Sequence, residues 1–117
     1  MELGGNAAVI DEPDADLDHA AQPSPAVTYA GQTCISVQRI FVHESVIGPF
    51  TDKIVAQVSR LESGDPTDER TVVGPLIDTG AARQVEHWIG EAVTQGARSC
   101  TVAAGRDRWC RPLSCRR

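Results

Sequence analysis

Cys34 stands in the stretch "YAGQTCISVQR" (residues 29–39), behind Gly31 and a polar pair and ahead of an apolar, β-branched run. That is the boundary between a glycine turn and a strand. A nucleophilic cysteine must be reachable and partly thiolate at working pH. A nearby glycine lets the backbone bend and a substrate approach, and the Cys34 backbone N–H could help hold an oxyanion. On spacing alone an inert buried thiol is the commoner outcome, because free cysteine is commonly buried. Glu2 stands in "ELGGN", an acid beside two glycines at the mouth of a predicted strand. Ligand sites of α/β proteins lie at strand ends, and a carboxylate in an apolar pocket can serve as general base for water. In isolation a solvated terminal glutamate is the commoner reading. Gly4 and Gly5 alone are too short to make a nucleotide loop.

The other reactive residue types carry less. His19, His43 and His87 are scattered, show no evident partner, and read as surface residues. Cys100, Cys110 and Cys115 fall among arginines, at a spacing that matches no zinc pattern and with no interleaved histidine. No metal site is expected. Unpaired thiols are the expectation, with a disulfide pair open on parity.

These candidates need elements to position them. "AAVI" (7–10) reads as a short buried strand. In "DEPDADLDHAA", Asp14 or Asp16 can cap a helix whose first turn is acidic. Pro23 and Pro25 then interrupt it, since each lacks the backbone N–H and clashes with the preceding turn. "ISVQRIFVH" (35–43) alternates as a strand does. "SVIGPFTDKIVAQVSRL" (45–61) places Phe50, Ile54, Val58 and Leu61 at helical spacing. Residues 62–77 form a loop punctuated by Gly64, Pro66, Gly74 and Pro75. "DTGAARQVEHWIGEAVTQGA" (78–97) predicts an amphipathic helix capped by Asp78 and ended by Gly96, with Ala82, Val85, Trp88 or Ile89, and Ala92 inward. The order is that of an α/β chain.

Totals bound the rest. At 117 residues this is at most one small domain with a modest core. Apolar residues make 41 % and aromatics 4 %, both on the low side. A net charge of -5 argues against a nucleic-acid partner. No apolar run is long enough for a bilayer and no signal peptide is visible, so no membrane partner and a cytoplasmic location are expected.

Three separated stretches carry a resemblance. "MELGGNAAVI", "AGQTCISVQRIFVHESV" and "GDPTDERTVVGPLID", in this order and at near-family spacing, together resemble the aldehyde dehydrogenase superfamily over most of residues 1–97. The resemblance implies that Cys34 of "GQxC" is the nucleophile and Glu2 of "ELGG" the general base. It implies that Leu3 and Gly4 lie near the nicotinamide, and that NAD or NADP is the cofactor. The implied reaction runs from a small aldehyde through a thiohemiacetal and a thioester on Cys34 to a carboxylic acid.

The implied fold is α/β, a partial catalytic domain over 1–97 with an incomplete parallel sheet and flanking helices. Residues 98–117 are expected as an aberrant arginine- and cysteine-rich tail that completes the sheet poorly. With Met1 directly before Glu2, the family's N-terminal cofactor domain, its oxyanion asparagine and its adenosine-binding lysine are expected to be missing, as is the C-terminal part. The isolated chain is therefore expected to be inactive. Its alternative is a non-enzymatic, dehydrogenase-like module or pseudogene product that binds a full-length relative or forms a homo-oligomer. Reverse translation of "WCRPLSC" (109–115) from its third base permits Val-Pro-Pro-Thr-Val-Leu, which contains the family's "PTVL", so a shifted reading frame is expected in the tail. The family turn would leave Cys34 at an exposed bend.

Overall fold

The computed structural model describes residues 4–22, 28–103 and 111–115. The chain divides into two compact units, Met1–Leu61 and Glu62–Arg117.

The first unit is built on a parallel pair. Strand β1 (Ala7–Asp11) runs beside β2 (Val37–Val42), with Val9 opposite Ile40, Ile10 opposite Phe41 and Asp11 opposite Val42. Parallel neighbours need a crossover, because no hairpin can join them. Here it contains helix α1 (Leu17–Ala20), whose N-cap Asp16 accepts from the backbone N–H groups of Asp18 and His19. One sheet face alternates inward, with Ile40 and Val42 half-buried and Asp11 buried. The other leaves Ile10 71 % and Phe41 53 % exposed, although parallel sheets are ordinarily covered on both faces.

Helix α2 (Ile47–Val58) follows β2. Phe50, Ile54 and Val58 recur every four residues, and all three are buried. That stripe is the apolar face the 3.6-residue period requires. Pro49 falls in the first turn, where a missing N–H costs little. Leu61, expected on the same stripe, lies beyond the helix end and is half-buried. Helices α1 and α2 pack together, and Lys53 on α2 forms an ion pair with Asp18 on α1.

The second unit opens with the loop 62–77. The Glu62 carbonyl accepts from the N–H groups of Val72 and Val73 at 3.0 and 3.1 Å, so the loop closes on its own ends. Val73 and Leu76 are buried in this unit with Ala82 of helix α3 (Thr79–Thr94). Asp78 caps α3 by accepting from the Ala81 N–H at 2.7 Å. At the other end the Gly96 N–H reaches the Val93 carbonyl and the Ala97 N–H reaches Ala92. Gly96 has φ +94°, so this is a Schellman ending on the glycine the sequence offers. Ile89 is half-buried whereas Trp88 is 60 % exposed, so Ile89 takes the inward position.

Strand β3 (Arg98–Ala103) pairs antiparallel with β4 (Arg111–Cys115), Arg98 lying opposite Cys115. These two strands make a two-stranded sheet.

Candidate active site

The loop that carries Cys34 starts with a rare backbone. Tyr29, Ala30 and Gly31 have φ of 52, 58 and 75°, three consecutive left-handed residues. Glycine adopts that region freely, but Tyr29 and Ala30 each meet a steric cost of about 1–2 kcal/mol. Gln32 opposes that cost. Its backbone N–H and its side-chain Nε2 both donate to the Tyr29 carbonyl, at 3.1 and 3.0 Å. A second turn follows at once, the Ser36 N–H donating to the Thr33 carbonyl at 3.1 Å. Cys34 sits inside this second turn, one residue before exposed Ile35 and two before Ser36, which is 2 % exposed. Cys34 itself is half-buried. The exposed bend expected from the family turn is therefore partly covered.

What lies against the Cys34 turn is the glycine pair at the start of the chain. A Cβ built on Gly5 would collide with the Cys34 carbonyl oxygen and lie 3.4 Å from its carbonyl carbon. No side chain fits there, and glycine permits this close approach of backbone to backbone. Gly4, one residue earlier, has φ +76° and open space where a Cβ would be. The segment is also held from β2. Arg39 Nη2 donates to the Asn6 carbonyl at 3.0 Å, while its guanidinium carbon lies 5.8 Å from the centre of the Phe41 ring.

Of the residues singled out in the sequence, Cys34 and Gly4 are thus brought to one place in the first unit. Glu2 and Leu3 lie outside the described residues. The three histidines are exposed, as their scatter suggests, but two have partners. His43 Nδ1 lies 2.9 Å from Ser45 Oγ and accepts from the Ser45 N–H. His87 Nε2 lies 3.5 Å from Glu91 Oε1, one helical turn on. Cys100 is half-buried in β3, and Cys110 lies outside the described residues. Among the described residues no group of three or more His, Cys, Asp or Glu is placed to hold a metal ion, and no helix is long and apolar enough to cross a membrane. Sequence reasoning missed Arg39, Asn6 and the role of Gly5. Gly5 was visible as half of a glycine pair, but nothing in the sequence marks Arg39 as a partner for a backbone carbonyl thirty-three residues away.

Comparison with known proteins points one way. The model of the Aldehyde dehydrogenase family matches residues 1–111. The chain is 44 % identical over 100 residues to a 3-sulfolactaldehyde dehydrogenase of Priestia aryabhattai, a match covering 84 % of this chain and 21 % of the relative. It is 43 % identical over 110 residues to the NADP(+) succinate-semialdehyde dehydrogenase of Escherichia coli K12, covering 92 % of this chain and 23 % of the relative. The crystal structure of a succinate-semialdehyde dehydrogenase from Burkholderia pseudomallei superposes with a TM-score of 0.82 at 38 % identity, over 94 % of this chain and 24 % of that one. The chain therefore spans between a fifth and a quarter of the length of these proteins.

Proposed function

This chain belongs to the aldehyde dehydrogenase family, and we propose that it carries the nucleophile and the general base of that family's oxidation of an aldehyde to a carboxylic acid. Cys34 is the nucleophile and Glu2 the base. The observation that supports the pairing is the close approach of Gly5 to the Cys34 carbonyl. It puts the segment that follows Glu2 on the turn that presents the thiol.

In this reading the Cys34 thiolate adds to the aldehyde carbonyl carbon and forms the C–S bond of a thiohemiacetal. The Cys34 backbone N–H donates to the oxygen that gains the charge. After oxidation of this adduct Cys34 carries a thioester. Glu2 takes a proton from water, the hydroxide adds to the thioester carbonyl, and the C–S bond breaks to release the acid and the thiolate. Gly4 fits a place beside a planar ring, since it has no Cβ and nothing lies within 4 Å of where one would be. With Leu3 it would form one edge of a nicotinamide site. A bound nicotinamide, of NAD or NADP, supplies the acceptor for the hydride.

The relatives are about four times as long as this chain, so the complete reaction is proposed for a full-length protein and not for these 117 residues alone. The isolated polypeptide is expected to show no NAD- or NADP-dependent oxidation of succinate semialdehyde above a Cys34→Ala control, because hydride transfer needs the acceptor held in line with the sulfur and Leu3 with Gly4 would supply one edge of such a site. Measurable turnover that needs Cys34 would overturn this.

The nucleophile assignment is tested by iodoacetamide labelling resolved peptide by peptide, with and without succinate semialdehyde. Weak protection of Cys34, with Cys100, Cys110 and Cys115 unchanged, is the expected result. Equal labelling of all four would reduce Cys34 to a sequence motif.

A second reading, a non-enzymatic module that binds a full-length relative or a second copy, is favoured by the bare sheet face at Ile10 and Phe41. Apolar surface of that kind is found where another chain packs. Concentration-dependent sedimentation that an Ile10→Lys change abolishes would support it.

A further inference from the structure

The proposed chemistry needs the segment after Glu2 to stay on the Cys34 turn, and we infer that Arg39 is the positioning residue that holds it there, by gripping the Asn6 carbonyl. The role deepens the assignment of Glu2 and Cys34 and depends on it for its functional meaning. Its geometry stands on separate observations.

The first is the pairing of the strands. Ala7 lies opposite Val37, but Ala8 lies opposite Arg39, so β2 carries an extra residue, Gln38, at this point. A bulge of this kind re-aims the side chains next to it. The second is the ring beneath the guanidinium. Arg39 and Phe41 alternate onto one face of β2, and Phe41 lies 5.8 Å below the Arg39 charge. A planar cation resting on a ring is pre-organised, and less is lost when it makes a hydrogen bond. The third is the bond itself, from Nη2 to the Asn6 carbonyl at 3.0 Å. Asn6 directly follows Gly5, whose α-carbon abuts the Cys34 carbonyl. A closed circuit results. The chain leaves Cys34, enters β2, returns through Arg39 to Asn6, and meets Cys34 again at Gly5. The Arg39 bond thus fixes the residue next to Gly5, which has no side chain of its own to anchor it.

The test reads the position of the turn through the half-buried thiol, in the whole 117-residue chain. Alkylation rates of Cys34 by iodoacetamide are measured peptide by peptide, with Cys100 in the other unit as internal control. Arg39→Ala should free the turn and speed Cys34 roughly threefold or more while leaving Cys100 unchanged. Arg39→Lys, which keeps the stem and one charged donor, should recover much of the parent rate. Gly5→Ala drives a methyl group into the Cys34 carbonyl and so displaces the same turn, and the double variant should be no faster than the faster single one. Three results would overturn the clamp: a parent-like Cys34 rate in Arg39→Ala, a lysine variant no better than alanine, or effects of the two substitutions that multiply. If Arg39→Ala also speeds Cys100, the chain has unfolded. The decision then passes to Arg39→Lys against Arg39→Met, which share the long stem over Phe41 and differ in the donor. Equal Cys34 rates in that pair would overturn the clamp, and a slower rate with lysine would support it. A Cys34 that no aldehyde protects, yet whose alkylation still depends on Arg39, would refute the proposed chemistry and keep the positioning role.

Discussion

Two motif-bearing stretches of this chain are held together in opposite ways. Around Cys34 the decisive contacts are distant in sequence: Arg39 holds Asn6 and Gly5 lies against Cys34. In the loop 62–77 they are local. Asp65 Oδ1 accepts from the Thr67 N–H and hydroxyl at 2.8 and 2.7 Å. Asp68 accepts from the Arg70 backbone N–H at 3.0 Å and from its guanidinium at 3.2 and 2.8 Å. The loop writes its shape with residue types that bond two positions along. The Cys34 region writes its shape with absences, a Cβ that is not there and a carbonyl that any residue would carry. A stretch of the first kind keeps its form largely by itself. One of the second kind depends on everything that brings its parts together, as a site built from two chain segments must.

The largest effect should therefore come from filling the missing space. Gly5→Ala puts a methyl group into the Cys34 carbonyl, and since the obstacle is backbone something must shift. Overpacking of this type costs about 1–3 kcal/mol, read as a lowered urea midpoint. Gly90→Ala provides the contrast. Gly90 lies within α3 with nothing within 4 Å of its would-be Cβ, and the same substitution should there stabilise by about 0.5–1 kcal/mol. Similar effects at both glycines would remove the distinction between the two kinds of stretch.

The same contrast explains what could be read from the sequence. Helix α2 was legible through Phe50, Ile54 and Val58, and α3 through its Asp78 cap and Gly96 stop, because spacing and capping are local properties. Strand β2 was legible through its alternation. Trp88 and Ile89 are adjacent, so periodicity could not choose between them, and packing chose the smaller residue. The left-handed backbone at Tyr29 and Ala30 carries no signal, since neither residue favours positive φ. The bulge at Gln38 is a property of a strand pair, and no single strand announces it. Of the candidate site, the motif residues stood out and the geometry that joins them did not. The partition of residues 1–97 from 98–117 followed composition. The contacts group the chain into Met1–Leu61 and Glu62–Arg117, and the family match runs over residues 1–111.

Carboxylates offer a second contrast of smaller size. Those of Asp65 and Asp68 are exposed and well bonded, whereas Asp11 at the end of β1 is 6 % exposed and its Oδ2 has no hydrogen-bond partner. A buried polar atom without a partner costs about 1–3 kcal/mol. Asp11→Val keeps a branched side chain opposite Val42 and removes the orphan oxygen, so it should raise stability by about 1–2 kcal/mol. Thermal melts of the two proteins decide this. A lower midpoint for the valine variant would mean that the carboxylate is used.

The smallest expected effect is a titration, and it separates the two stretches by their chemistry. The Thr67 hydroxyl, then its backbone N–H, holds the Asp65 carboxyl below the ordinary aspartate value of 3.8. The Arg70 guanidinium, then its backbone N–H, does the same for Asp68. Asp68 in turn, with Glu62 further off, raises Arg70. A carboxyl whose folded pKa is depressed contributes stability that is present above its unfolded value and is lost as pH falls through the folded one. Both groups lie at the surface, where solvent and salt weaken such bonds, so global stability should barely respond. The loop itself should respond. Followed by NMR from about pH 5 to about pH 2, the Thr67 and Arg70 amide signals should move together with midpoints under 3.8, because each reports the carboxylate it donates to. The bond from Arg39 to the Asn6 carbonyl involves no carboxylate, so the Asn6 and Ala7 signals should stay in place until the chain as a whole unfolds. Loop signals with midpoints at or above 3.8, or Asn6 and Ala7 signals that follow them, would show that local carboxylate bonding is not what distinguishes the two stretches.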